Sequence, residues 1–407
     1  MGDETPMNDK IYWIWLQQAL GISGSVKTDE IVSYFRTAKD VYFAGEYDRK
    51  ISNMFTPRQL EKLKNNNTKQ AEKFFAQCEK NGWQIVTPDD EIYPSMLFKL
   101  PNFPLVLYVN GDLDCLKNKI SIAMVGSRKP CRNSTCIARA LSASVTRSGG
   151  LIISGGAVGI DSAAHMGALD AQGKTVAVLG CGLDDRYPVE NEALRNEISQ
   201  NGAVISEYPP GTRPYSGNYP VRNRIISGLS YGTVVIEASE KSGSLITANC
   251  ALEQGRDVYA VPGDIMSTGF TGTNRLIHDG AKPVFNALDV LEDYAVQYPE
   301  MLDIEKIEKS LTMKTYRDPP SRAKAVDNPP RMKNGEVKFV KFPEPPLLTE
   351  DARKIYRAFE KQVMQADELI LKTGLDAGSF SGAMTELELF DMVELQAGKL
   401  YKLKTGE

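Results

Sequence analysis

Along the chain the apolar positions change period several times. From about residue 8 to 70 they recur at helical spacing. Ile11, Ile14, Trp15 and Leu20 fall on one stripe, Gly21-Ile22-Ser23-Gly24 breaks it, and Ile31, Val32 and Phe35 open another. Between 71 and 116 the pattern is mixed. Short strands are predicted at 84–87 and 105–109, punctuated by Pro88, Pro94, Pro101 and Pro104, as a lead-in packed against the main domain. From Lys119 onward, β-branched runs without alternation occur at 120–125, 151–154, 175–179, 203–206, 233–237, 258–261 and 283–285. Between them lie amphipathic stretches. One carries Ile137, Leu141 and Val145 at four-residue steps and is closed by Gly149-Gly150. Strands without alternation are buried on both faces, and strand–helix repetition predicts a parallel sheet covered by helices on each side.

Periodicity vanishes between 296 and 346. Pro319-Pro320, Pro329-Pro330, Pro343 and Pro345-Pro346 accumulate there, and residues 305–341 hold ten Lys/Arg against five Asp/Glu. That composition predicts a basic, proline-rich linker. Pattern returns after Leu347. Ile355, Phe359 and Val363 form a helical stripe, 366–372 and 379–390 two more helices, and 393–395 with 400–403 a hairpin around Ala397-Gly398. Three helices followed by a hairpin predict a winged helix. The expected domains are thus a helical module (8–70), a core with its lead-in (71–295), a linker (296–346) and a winged-helix domain (347–407).

Composition narrows the class. In 407 residues, 42% hydrophobic and 25% charged is an ordinary globular balance, and a net charge of −4 gives no overall attraction to nucleic acid. The best candidate span, 11–20, is too short for a membrane and carries Gln17 and Gln18. The opening residues, with Asp3 and Glu4, lack a basic leader, so a cytoplasmic location is expected. Six cysteines without a C-x-x-C pair and only two histidines argue against a structural zinc site or a disulfide scaffold.

The candidate chemistry lies where strands end. The first core strand breaks into Gly126-Ser127-Arg128, with Lys129 and Arg132 beside it; the second breaks into Gly155-Gly156 and reaches Gly159 before a helix opens. Ser242-Gly243-Ser244 and, more weakly, Gly272-Thr273-Asn274 repeat the junction. A glycine turn leading into a helix start turns backbone N–H groups toward an anion. Each alone is also ordinary helix capping. Arg213, Arg222, Arg224, Lys241 and Arg275 are expected on the same sheet rim, so that Arg128 and Arg224 share one crevice. Residues 119–289 carry sixteen basic against fifteen acidic side chains, so a basic crevice requires segregation of sign. Tyr187, Tyr208, Tyr215 and Tyr219 lie near those arginines, where rings stack on unpaired bases or simply pack. Asp161 and His165, four apart, read as a helix-start acid and its contact, or as an acid/base pair lacking a nucleophile.

Nucleotide motifs fail. Gly155–Gly159 is not G-x-G-x-x-G, Gly180-Cys181-Gly182 lacks the third glycine, and Gly173-Lys174-Thr175 sits between helix and strand, the reverse of a P-loop. No cofactor is expected. The Gly21–Gly24 turn could present amides to DNA as a helix-hairpin-helix does, but no Lys or Arg lies within it, and a plain helix connection is favoured. The winged helix counts eight basic against eleven acidic residues, and its would-be recognition helix carries Glu386 and Glu388 without a cation. Such a face suits protein contact or packing better than phosphate.

The motifs together resemble the bacterial DNA-processing protein A (DprA/Smf) family. They are Met124-Val125-Gly126-Ser127-Arg128, 154–161 with Ala164-His165, Leu179-Gly180-Cys181-Gly182-Leu183-Asp184, Tyr187-Pro188 with Asn191, Ser206-Glu207-Tyr208, Arg222-Asn223-Arg224-Ile225-Ile226, 242–248, Pro262-Gly263 and Gly272-Thr273-Asn274. The flanking domains are similar to the family's as well. The resemblance implies an α/β protein with an extended Rossmann-like parallel-sheet core, an N-terminal SAM- or helix-hairpin-helix-like module and a C-terminal winged helix. It implies a homodimer that binds single-stranded DNA without catalysis and loads the RecA recombinase during natural transformation. The DNA-binding set it implies is Gly126, Ser127, Arg128, Lys129, Gly155, Gly156, Gly159, Arg222, Asn223, Arg224, Lys241, Ser242, Gly243 and Ser244. Val158 stands where many members carry Arg or Lys. The alternative is an enzyme acting on nucleotides or nucleoside phosphates. Related hydrolases of that kind carry a P-G-G-x-G-T-x-x-E run, which this chain lacks.

Overall fold

A computed structural model describes residues 7–22, 26–51, 53–65, 67–306, 348–359, 363–389, 392–396 and 400–403. The chain divides into two compact units, Met1–Asp318 and Pro319–Glu407. The stretch expected as a basic linker falls mostly outside the described residues, as do Ser23 and Gly24 of the glycine turn.

The first unit is built on a nine-stranded sheet. Its strands are β1 (Gln84–Val86), β2 (Leu107–Gly111), β3 (Ser121–Val125), β4 (Leu151–Ser154), β5 (Thr175–Leu179), β6 (Gly202–Ser206), β7 (Gly232–Val235), β8 (Asp257–Ala260) and β9 (Lys282–Pro283). Their order across the sheet is β1-β2-β6-β5-β4-β3-β7-β8-β9. Neighbours from β6 to β9 are parallel, whereas β2 pairs antiparallel with both β6 and β1. The lead-in therefore joins the sheet itself as two further strands. Successive side chains leave opposite faces of a strand, and in β3 Ile122 and Met124 enter one apolar layer, Ala123 and Val125 the other. Both layers are buried, which is why the sequence shows runs without alternation.

The helices that matter for the site follow the strands. These are α7 (Arg132–Arg147) after β3, α8 (Ile160–Asp170) after β4, α9 (Glu192–Gln200) after β5, α10 (Asn218–Gly228) after β6 and α11 (Ser244–Glu253) after β7, with α12 (Thr271–His278) and α13 (Leu288–Gln297) beyond. The chain runs from β3 outward through β4, β5 and β6, then returns to place β7 on the other side of β3. In open sheets of this kind, the crevice at that reversal is where ligands sit, outside the carboxyl ends of the strands.

Among the described residues six helices precede the sheet: α1 (Asp9–Leu20), α2 (Thr28–Phe35), α3 (Ala38–Phe43), α4 (Glu46–Ile51), α5 (Pro57–Lys64) and α6 (Lys69–Asn81). The boundary expected at 70/71 falls inside α6, which packs on α1. Polar groups lock α1 to the sheet. Trp13 donates its indole N–H to Asp89 at 2.6 Å, and the buried Gln17 amide donates to Glu207 O at 3.0 Å. A hydrogen bond to a charged acceptor of the first kind contributes about 1.5–3 kcal/mol.

The second unit holds α14 (Glu350–Ala358), α15 (Ala366–Thr373) and α16 (Ala377–Leu389) with the sheet β10 (Val363–Gln365), β12 (Leu400–Leu403), β11 (Val393–Gln396) in that spatial order. Val363 is a correction to the helical stripe. It opens an edge strand opposite Lys402, while Ile355 and Phe359 alone continue into the buried core. Glu386 is already engaged, accepting from Thr349 N at 2.8 Å and Thr349 Oγ1 at 2.5 Å.

Candidate nucleic-acid interface

Two glycine turns interlock at the end of β3 and β4. Ser127 N donates to Glu237 O at 2.8 Å, and Ile160 N donates to Ser127 O at 3.1 Å. Gly159 has φ +88°, and a Cβ there would lie 2.4 Å from Ser127 O. Only glycine lets the second turn close on the first. Gly155 is required for another reason: its Cβ would meet Arg222 Nη1 at 2.3 Å and Asp161 Oδ2 at 2.6 Å.

Arg222 is buried and acts as a brace. Its Nη1 donates to Gly155 O at 2.6 Å and to Val178 O, tying together the chain leaving β4 and the end of β5. Tyr219 lies three residues earlier, one turn along the same face of α10. The Arg222 guanidinium is 5.8 Å from its ring centroid, and the Arg128 guanidinium is 4.9 Å from it. The exposed Arg128 is thus held by a cation–π contact of the kind that contributes about 0.5–1 kcal/mol at open sites. The Tyr219 hydroxyl is buried without a hydrogen-bond partner, and burial pushes it up to about 12.

These groups border a cleft of about 200 Å³ at the switch point. Gly126 and Arg128 form its β3 side, Tyr219, Arg222 and Asn223 its α10 side, and Ser242, Gly243 and Ser244 the entry to α11. Ser242 Oγ and Ser244 Oγ are 2.8 Å apart, and Asn223 Nδ2 reaches Gly243 O at 3.4 Å. A helix N-terminus facing an arginine is a site for an anion. A narrower recess adjoins it, sharing Arg128 and Tyr219 and adding Gly155, Gly156, Val158 and Tyr187. The Tyr187 and Tyr219 centroids are 6.5 Å apart.

Most of the expected set is brought together, and some is not. Ser127 and Gly159 shape the loops through their backbones. Lys129 and Lys241 are exposed but do not border the cleft. Arg224 is a correction. It is buried against Glu207, with Arg224 Nη2 2.7 Å from Glu207 Oε1 and side-chain exposures of 7% and 6%. Two residues on a helix differ by about 200° around its axis, so Arg222 and Arg224 cannot share a face. The single crevice holding Arg128 and Arg224 is therefore not formed. Arg275 pairs weakly with Asp279 at 3.6 Å, and Tyr208 is packed, donating to Asn218 O. The part of Tyr219 as the seat of Arg128 was not read from the sequence, although the three-residue step to Arg222 signals it.

Asp161 and His165 do not hydrogen-bond to each other. Asp161 accepts from Ala157 N at 3.3 Å; burial raises its pKa, against the pull of Arg222. His165 Nδ1 is 2.8 Å from Thr175 Oγ1, and that hydroxyl donates to Ile152 O. The imidazole must then donate from Nδ1, as a neutral ring. Burial, then Arg222, pushes it down to about 3 from 6.5. The unfolded chain therefore binds the extra proton first. Stability from His165 is complete above pH 6.5 and lost as pH falls toward 3, at about 1.4 kcal/mol per pH unit. Urea unfolding at pH 7 and pH 5 should differ by about 2 kcal/mol, and His165→Gln should flatten most of that slope. The raised Asp161 pKa acts with opposite sign.

Among the described residues no cluster of His, Cys, Asp or Glu is placed to hold a metal ion, and no helix is long and apolar enough to cross a membrane. Residues 84–295, the whole sheet and every residue of the cleft, match the family DNA recombination-mediator protein A. Over 402 residues the chain is 32% identical to protein Smf of Synechocystis, covering 97% of this chain and 99% of that one. The chain belongs to the DNA recombination-mediator protein A family. Residues 341–399 match the DprA winged helix domain. The DNA processing protein DprA of Bacillus subtilis is 41% identical over 211 residues, 51% of this chain and 71% of that protein. An X-ray structure of DNA processing protein A from Streptococcus pneumoniae superposes with a TM-score of 0.63 at 35% identity, over 70% of this chain and 99% of that one. The match to the family begins at β1, so the six N-terminal helices precede it.

Proposed function

We propose that the cleft between β3 and β7 holds the sugar–phosphate backbone of single-stranded DNA, and that the chain, as a cytoplasmic homodimer, delivers that strand to the RecA recombinase without catalysing a reaction. Membership of a family of recombination mediators supports the role. The observation that carries the site is Arg128, seated on Tyr219 and opposite the first turn of α11. Arginine grips phosphate through a planar fork, and the amides of α11 add a second anion contact. Tyr187, 45% exposed, and the edge of Tyr219 offer rings to unpaired bases, which a duplex keeps stacked inside. The acidic winged helix is assigned to protein contact. A fluorescence-polarisation titration tests the reading. Oligothymidylate should bind in the nanomolar-to-micromolar range with affinity falling steeply with salt, and duplex of equal length clearly more weakly. Equal affinity for duplex would overturn single-strand selectivity. Release of base or phosphate from a nucleotide by purified protein would instead make it an enzyme.

A further inference from the structure

A second basic surface lies away from the cleft, on the helices that precede the sheet. An open furrow of about 510 Å³ runs between α1, α5 and α6, with the buried Trp15 in its floor. Its exposed lining is Glu61, Lys62, Asn65, Asn67, Lys69, Gln70 and Lys73. The ammonium groups of Lys69 and Lys73 have no partner among the described residues, and Lys62 Nζ makes only a long contact, 3.4 Å, to Gln18 O. Each of the two acids nearby has a contact of its own. Glu61 lies 3.7 Å from Lys64, and Glu72 accepts from Thr68 Oγ1 at 2.6 Å. Three cations against one carboxylate, Glu61, thus line the furrow, interleaved with side-chain amides and lacking an exposed apolar anchor.

The furrow is connected to the cleft's rim. Lys69, Lys73 and Gln77 are four residues apart on one face of α6, about 6 Å per step along its axis. Gln77 Nε2 donates to Asp184 Oδ2 at 3.3 Å, and Asp184 sits in the loop beyond the carboxyl end of β5, where it also accepts from Gly211 N. That is the rim on which Gly180 and Tyr219 border the narrow recess. The row of donors on α6 therefore starts beside the candidate DNA site and ends in the furrow.

We infer that this furrow is a second, sequence-independent contact for the phosphates of the same single strand, engaged only by strands long enough to leave the cleft; the inference rests on the function proposed above. Ammonium and amide donors on one helix face suit a repeating phosphate, whereas an acidic peptide would ask for apolar or backbone partners that the lining lacks.

The test uses the full chain and oligothymidylates of about 6 and about 25 nucleotides, lengths that bracket common single-strand site sizes. Lys62→Glu/Lys69→Glu/Lys73→Glu should bind the long oligomer at least about ten-fold more weakly and lower its logarithmic salt slope by about 2, with short-oligomer affinity within about two-fold of the parent. The triple Gln variant should show the same pattern at about three-fold, and covers the case in which charge reversal disturbs folding. Unchanged long-oligomer affinity and slope in both variants would overturn the inference. So would polyglutamate that displaces the long oligomer from the parent as well as DNA does, since the furrow would then read acidic protein. Failure of the cleft itself would show separately, as short-oligomer binding that survives Arg128→Glu.

Discussion

Replacing Arg128 with Glu should weaken oligothymidylate binding by at least about 30-fold, some 2 kcal/mol, and flatten its salt dependence. The guanidinium is exposed, so its removal leaves no buried partner stranded, and thermal stability should move little. What changes is the cleft. A cation facing the first turn of α11 becomes a carboxylate in the path of a phosphate. Every phosphate of a single strand that is no longer neutralised removes about 0.7 from the logarithmic salt slope. A decrease of about 0.7 therefore distinguishes removal of one phosphate ligand from a general failure to fold. A variant that binds single strands as the parent does would remove Arg128 from the site.

Arg224→Ala should do the reverse: destabilise strongly and leave binding nearly intact. Its charge lies inside the protein, 2.7 Å from Glu207, and the backbone carbonyl of Glu207 also accepts from Gln17 of α1. Removing the arginine strands a buried carboxylate, a cost of about 3–5 kcal/mol. Denaturant midpoints should fall accordingly, while folded protein should keep its oligothymidylate affinity within about three-fold. Apolar replacement of both partners, Arg224→Met with Glu207→Leu, should recover much of the deficit, because no unpaired charge remains. A stable Arg224→Ala protein that binds ten-fold more weakly would place residue 224 on the DNA after all.

The contrast between these two arginines shows where the sequence was informative. The β4 and β5 limits, Leu151–Ser154 and Thr175–Leu179, agree residue for residue with the runs read from the sequence, because both faces of those strands are buried and nothing polar blurs their ends. The glycine junctions were legible because a turn that must approach its neighbour closely tolerates little else, as Gly155 and Gly159 show. Arg222-Asn223-Arg224 was legible as a motif but not as a surface. Read as one run it promises two phosphate ligands, while the turn of α10 sends one arginine to brace strand ends and the other to Glu207. Pairings distant in sequence were hidden as well. β2 joins β6 across the sheet through Tyr108 opposite Ser206, a register that no local pattern encodes. The lysines of the furrow come from α5 and α6, two helices brought together through their packing on α1, which no local pattern encodes.

Where the strand lies can be mapped by photo-cross-linking, with a bromodeoxyuridine-substituted oligomer and peptide sequencing of the adducts. Adducts on Tyr219 or Tyr187, abolished when Arg128 is replaced by Glu, are the expected result. Adducts confined to the winged helix or to the amino ends of the strands, with none at Tyr187 or Tyr219, would contradict a strand held at the switch point.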